Sequence, residues 1–192
     1  MDDRLYRGLM TTALLFTLAW VGWSVYDSIV RERNPGDAAY LAGNTYFEDG
    51  HFAEALPEYE AALAANPGHL FARRGRARSL MQLGRHEESL AVFDEVIGAT
   101  PEFAASYANR GILHDRMGDY EAALADYRQA LRLDPELADG PRWITRFLRN
   151  QAERPPTIAD RERYLREQLT KPEAERVLRM PEVDAEQRPY KL

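Results

Sequence analysis

The chain has 192 residues, a formal net charge of −6, and 29% charged against 45% hydrophobic residues, a balance that supports a folded protein over general disorder. It contains no cysteine, which excludes disulfides, thiolate metal sites and cysteine nucleophiles while leaving the redox compartment open. The acidic balance offers nucleic acid no global attraction, so no nucleic-acid partner is expected.

After a short head at residues 1–7, residues 8–26 read GLMTTALLFTLAWVGWSVY, without a formal charge. A helix of that length reaches roughly 28 Å, close to the thickness of bilayer hydrocarbon. A cleaved signal peptide and a buried soluble helix are the alternatives. Gly22 and Ser24 make a poor cleavage site, with Trp23 between them and Tyr26 just beyond. Residues 8–30 are therefore predicted to be a retained, single-pass transmembrane helix. Arg4 and Arg7 on one flank balance Arg31 and Arg33 on the other. The short head and the absence of Lys and Arg from residue 34 to 72 tip the orientation toward a cytoplasmic head, with the bulk on the periplasmic side of a bacterial inner membrane. Phe16, Trp20, Trp23 and Asp27 share one helical face. They meet either lipid or, helped by the small residues Ala13 and Gly22, a second membrane helix.

Beyond a linker at 31–35 the chain repeats itself. Gly43, Ala77 and Gly111 are 34 residues apart, as are Gly50, Gly84 and Gly118, and Pro67, Pro101 and Pro135. Tyr59, Phe93 and Tyr127 keep the same register, and so do Ala55, Ser89 and Ala123. Each unit holds an apolar-periodic stretch, a turn at glycine, a second stretch and a proline stop. Helical hairpins are predicted over 36–49 with 52–65, 70–83 with 86–99, and 104–117 with 120–133. The small residues let paired helices approach, and the ring at 59, 93 or 127 fills the wedge between neighbours. No hairpin buries its apolar face alone, so the units must stack.

Gly43, Tyr46, Ala55, Tyr59, Ala62 and Pro67, and again Gly111, Ala123, Tyr127, Ala130 and Pro135, resemble the tetratricopeptide repeat over residues 36–135. The departures are Leu80 and His114 at the Tyr46 position, Ser89 at an alanine position and Val96 opposite Ala62 and Ala130. The resemblance implies an all-α fold: a short α-solenoid of three units (36–69, 70–103 and 104–135) behind the transmembrane helix. A capping helix over 136–150, with Leu137, Trp143, Ile144, Phe147 and Leu148 as its apolar face, and a partly helical tail over 151–192 complete the expected organisation.

The same resemblance places the first helix of each unit on a concave face. Tyr40, Asn44, Phe47, Phe71, Arg74, Arg78, Asn109 and Arg116 are then the candidate protein-binding groove, basic at its middle. Asn109 and Arg78 resemble part of the set by which some members of the family clasp an extended acidic peptide, although Tyr40 stands where a basic residue is usual. In the tail, TIADRERYLREQL reads as a helix, and Thr170 with Glu173 as a second start signal before Val177 and Leu178.

No nucleophile motif, phosphate loop or cofactor signature is present. The four histidines form no metal-ligand pair at helical spacing. His114, Asp115 and Arg110 are close in sequence but point in different directions on a helix, so packing is the more economical role. The expectation is a non-enzyme without cofactor, metal or small-molecule substrate. It would be a membrane-anchored scaffold, an accessory subunit binding protein subunits of a larger membrane complex through its transmembrane helix and repeats; the alternative is a transient assembly or maturation factor for a membrane or cytochrome complex.

Overall fold

The computed structural model describes residues 3–30, 34–140, 147, 155–180 and 189–190. The chain divides into two units, Met1–Pro35 and Gly36–Leu192. The described residues are helical or irregular, with no strand among them.

The first unit is one helix, α1 (Asp3–Val30). Its stretch Tyr6–Tyr26 is long and apolar enough to cross a membrane, and none of its residues is buried within the chain. Its three threonine hydroxyls are internally satisfied: those of Thr11, Thr12 and Thr17 each donate to the carbonyl four residues earlier, at 2.8, 2.9 and 2.9 Å. Hydroxyls satisfied in this way need no water, which lowers the cost of placing them in lipid.

The second unit contains three helical hairpins: α2 (Asp37–Glu48) with α3 (Phe52–Ala65), α4 (Leu70–Gln82) with α5 (His86–Ala99), and α6 (Ala104–Met117) with α7 (Tyr120–Leu133). The glycine periodicity has a backbone cause. Gly50, Gly84 and Gly118 adopt φ of +82°, +74° and +85°, the left-handed conformation that side-chain-bearing residues avoid. In each case the following amide donates to the carbonyl five residues back, His51 to Tyr46, Arg85 to Leu80 and Asp119 to His114, closing the first helix of the hairpin.

The wedge residues Tyr59, Phe93 and Tyr127 are all fully buried. Burying such a ring contributes about 1.5–3 kcal/mol. Tyr59 lies between two glycines, Gly43 of its own hairpin and Gly75 of the next. A Cβ on Gly75 would land on the Tyr59 ring, and one on Gly43 would come within 2.9 Å of it. Ser89 departs from alanine without cost because its hydroxyl donates to the Ala77 carbonyl at 2.8 Å. His69 joins the first two hairpins: its Nδ1 accepts from the Ala72 amide at the start of α4, and its Nε2 lies 3.1 Å from Asp37 Oδ1 on α2.

The last described helix, α8 (Ile158–Leu169), packs against α7, and its Ile158 and Leu165 enter the same apolar core as Ile112, Leu113 and Tyr127. It begins with a capping box formed by Thr157 and Asp160, a signal upstream of the one expected at Thr170. The Thr170–Glu173 signal produces only a single 3-10 turn at Glu173–Glu175. Residues 176–180 after that turn are irregular, and α8 engages them from the side: Arg161 donates to the Leu178 carbonyl and Tyr164 to the Val177 carbonyl. Of the capping stretch 136–150, residues 136–140 and Phe147 are described; Pro135–Ala138 form a 3-10 turn, and Trp143, Ile144 and Leu148 lie outside the described residues.

Candidate protein-binding groove

The candidate groove residues on α2, α4 and α6, the first helices of the three hairpins, fall into two sections. In the first, Tyr40, Phe47, Phe71 and Phe103 surround two guanidinium groups. Arg74 lies over the Phe103 ring at 3.6 Å and over Phe71 at 5.4 Å, while Arg78 lies over Phe47 at 4.4 Å. Both arginines are nearly buried, with 3% and 6% of their surface exposed. Arg74 donates to the Thr100 hydroxyl at 2.9 Å, yet the Nε atoms of Arg74 and Arg78 have no hydrogen-bond partner among the described residues.

Among the described residues, neither arginine has a carboxylate within ion-pair distance. Glu102 for Arg74 and Glu48 for Arg78 are felt only at longer range. Burial lowers the pKa of both guanidinium groups from the ordinary value, more than these neighbours restore it. Arginine remains charged under all ordinary conditions, so the section carries two poorly compensated positive charges on an aromatic floor. Phe71 is the most open of its rings, with 47% exposed.

Asn44 makes a contact that its repeat position does not announce. Its Oδ1 accepts from the Tyr59 hydroxyl at 2.7 Å, which ties it to the wedge ring. Burial pushes the Tyr59 phenol up to about 12, opposed by the nearby Arg78 charge. Arg116 donates to Gln82 Oε1 at 3.2 Å, bridging α6 and α4.

The second section, along α6, is covered by the chain's own later residues. Asn109 is fully buried; its Oδ1 accepts from the Tyr190 amide at 2.7 Å and its Nδ2 donates to the Tyr190 carbonyl at 3.2 Å. One turn and a half further on, Asp115 receives both prongs of the Arg161 guanidinium at 2.7 Å each, with the Tyr127 hydroxyl donating to it at 3.1 Å. Sequence spacing could not have found Asn109 with Tyr190, 81 residues apart, or Asp115 with Arg161, 46 apart, because neither pair falls in the repeat register.

The residues that resemble an acid–base group are dispersed. Arg110 forks onto Asp126 at 2.7 Å per bond and reaches Asp94 at 2.6 Å, tying α5, α6 and α7 together. Its hydrogen bonds to Asp126 raise its pKa still further above the ordinary arginine value. His114 lies 3.5 Å from Asp119 and 4.0 Å from Asp126, at the rim of this network. Among the described residues, no group of three His, Asp or Glu side chains is placed to hold a metal ion. On α1, Phe16, Trp20 and Trp23 are 73%, 71% and 68% exposed; the Asp27 side chain lies outside the described residues.

The tetratricopeptide repeat profile matches residues 40–104 and again residues 104–137. Among curated proteins, similarity extends to the Hsp70-Hsp90 organizing protein of Triticum aestivum, 31% identical over 99 residues, covering 52% of this chain and 17% of that protein. The Hsp70-Hsp90 organizing protein 3 of Arabidopsis thaliana is 28% identical over 103 residues, covering 52% and 18%. The chain thus spans less than a fifth of the length of these relatives. Among solved structures, the first TPR of Spaghetti (RPAP3) bound to the HSP90 peptide SRMEEVD superposes with a TM-score of 0.57 at 18% identity, over 73% of this chain and 97% of that one. MamA from Desulfovibrio magneticus RS-1 superposes with a TM-score of 0.52 at 20% identity, over 88% and 93%. At these identities the superpositions establish the fold.

Proposed function

The chain belongs to the tetratricopeptide repeat family, and from that premise we propose that it is a non-catalytic accessory subunit of a membrane complex, anchored by α1 and binding an extended acidic segment of a protein partner on the concave face of its first two hairpins. The observation that carries this is the pair Arg74 and Arg78: two nearly buried guanidinium groups without an ion-paired carboxylate among the described residues. Holding a charge in such a place costs stability unless something compensates it, and a carboxylate supplied from outside would do so with charge-assisted hydrogen bonds. Phe71 and its neighbouring rings provide the apolar surface beside those charges.

The SRMEEVD peptide in the Spaghetti complex is itself acidic, which supports the same class of ligand here. The exposed apolar helix α1 favours a membrane anchor, and tethering raises the effective concentration of a groove that is only three hairpins long. The short head and the absence of Lys and Arg from residue 34 to 72 favour repeats lying outside the cytoplasm, on the periplasmic side of a bacterial inner membrane.

The test is a titration of the full chain in mild detergent with SRMEEVD and with the same peptide carrying amides in place of its carboxylates. The acidic peptide should bind with clear salt dependence, and Arg74→Glu with Arg78→Glu should weaken it more than tenfold while circular dichroism stays unchanged. Equal affinity for the two peptides would sink the proposal.

A further inference from the structure

We propose that the outward face of α2, formed by Ala38, Leu41, Ala42, Thr45 and Tyr46, is a second docking surface, and that its occupant is a helix of another protein whose apolar stripe is flanked by Lys or Arg. These five residues follow the i, i+3, i+4, i+7, i+8 spacing of a single helix face. On α4 the same register holds Ala72, Gly75, Ser79 and Leu80, all buried, and on α6 it holds Ser106 and Leu113, both fully buried. There a preceding helix does the covering, α3 against α4 and α5 against α6. On α2, which follows α1 rather than another hairpin, Ala38, Leu41, Thr45 and Tyr46 are exposed, Leu41 to 59% and Tyr46 to 40%. An uncovered solenoid end needs a polar outer face to stay soluble, whereas this stripe contains no charged residue.

The other junctions each carry an ion pair in the repeat register. Arg76 of α4 lies 3.5 Å from Glu60 of α3, Arg110 of α6 lies 2.6 Å from Asp94 of α5, and Arg128 of α7 lies 3.0 Å from Glu162 of α8. Ala42 stands where Arg76 and Arg110 stand, so α2 lacks the charge with which the later hairpins receive a neighbour. A second copy does not stack on it end to end, because α8 already closes the third hairpin with Glu162 and the fully buried Leu165. Nor does the α2 of a second copy fit: residues 34 to 72 hold Asp37, Glu48, Asp49, Glu54, Glu58 and Glu60 and no Lys or Arg, and two such surfaces repel. The same acids favour a basic rim on the occupant, and the small residues Ala38, Ala42 and Thr45 let a helix lie close. Tyr40 and Phe47 stand on the other flank of α2, so this surface shares no side chain with the arginine section.

The test is a fluorescence-anisotropy titration of the full chain in mild detergent with a labelled helical peptide of about 20 residues, Leu and Ala along one face and Lys on both flanks. A second peptide carries Glu in place of each Lys. The Lys peptide should bind the wild type at least tenfold more tightly than the Glu peptide does. Leu41→Gln with Ala42→Gln leaves the net charge unchanged and keeps good helix formers, so circular dichroism should not change, yet the Lys peptide should bind this variant at least tenfold more weakly. Equal binding by the wild type and this variant overturns the proposal, because the peptide would then be held by diffuse attraction; equal binding of the two peptides overturns it as well. Self-association of the wild type that Leu41→Gln with Ala42→Gln abolishes would assign the face to a second copy, again overturning the proposal. Arg74→Glu with Arg78→Glu should not weaken the Lys peptide even where it abolishes SRMEEVD binding, so the two surfaces stand or fail separately.

Discussion

Arg161 of α8 reaches back 46 residues to Asp115 of α6 and grips it with two bonds of 2.7 Å, so that a helix outside the repeats is locked to the third hairpin through a buried ion pair. Removing one partner of such a pair costs about 3–5 kcal/mol, because the other is left buried and charged. Asp115→Ala should lower the urea midpoint of the full chain accordingly. Replacing both, Asp115→Leu with Arg161→Met, should cost far less than the single change, and a double replacement as damaging as the single one would contradict this account.

The Tyr59 ring occupies the space that a side chain at Gly75 would need. Gly75→Ala should therefore destabilise the first two hairpins by about 1–3 kcal/mol. Combining it with Tyr59→Leu should cost less than the two single changes added together, because the smaller side chain makes room. Chemical denaturation of the four proteins measures the coupling, and strict additivity would exclude the proposed collision.

Two other glycines should respond with opposite signs. Gly84 has φ of +74°, so Gly84→Ala should destabilise by about 1–2 kcal/mol through the left-handed backbone alone. Gly98 lies within α5 with open space where its Cβ would be, so Gly98→Ala should stabilise by up to about 1 kcal/mol. Thermal melts of the two variants decide the matter.

Tyr59 makes stability sensitive to alkali. Its folded pKa of about 12 lies above the usual value of 10.0, so the folded chain holds this proton where the unfolded chain has lost it. The contribution is fully present below pH 10 and is lost as pH rises toward about 12. Melting temperatures measured across that window should fall more steeply for the wild type than for Tyr59→Phe; parallel curves would show that the phenol is not responsible.

On α1, the exposed rings of Trp20 and Trp23 are expected to contact a neighbouring membrane helix. Trp20→Ala with Trp23→Ala should release the protein from the proposed complex in mild detergent while leaving it in the membrane fraction. Unchanged co-purification would assign these rings to lipid.

The hairpins were legible in the sequence because each is a local unit whose turn glycine, stop proline and wedge ring recur in register. That Arg74 and Arg78 stand about one turn apart on α4 was legible for the same reason. Asn44 was not: the repeat register assigns it a face but cannot reveal that the Tyr59 hydroxyl claims its side chain. Nor could the Thr170–Glu173 signal show that side chains of α8 would take the carbonyls beyond it.

By itself the sequence determined the solenoid, the three turns and an apolar N-terminal helix, all consequences of short-range periodicity and of what glycine and proline permit. Only the tertiary structure decided that Arg161 would pair with Asp115 and that Asn109 would be filled by Tyr190. Those contacts join residues far apart in the chain, and which polar groups meet there depends on how α8 and the segment beyond it pack against the third hairpin, a long-range outcome that no local pattern encodes.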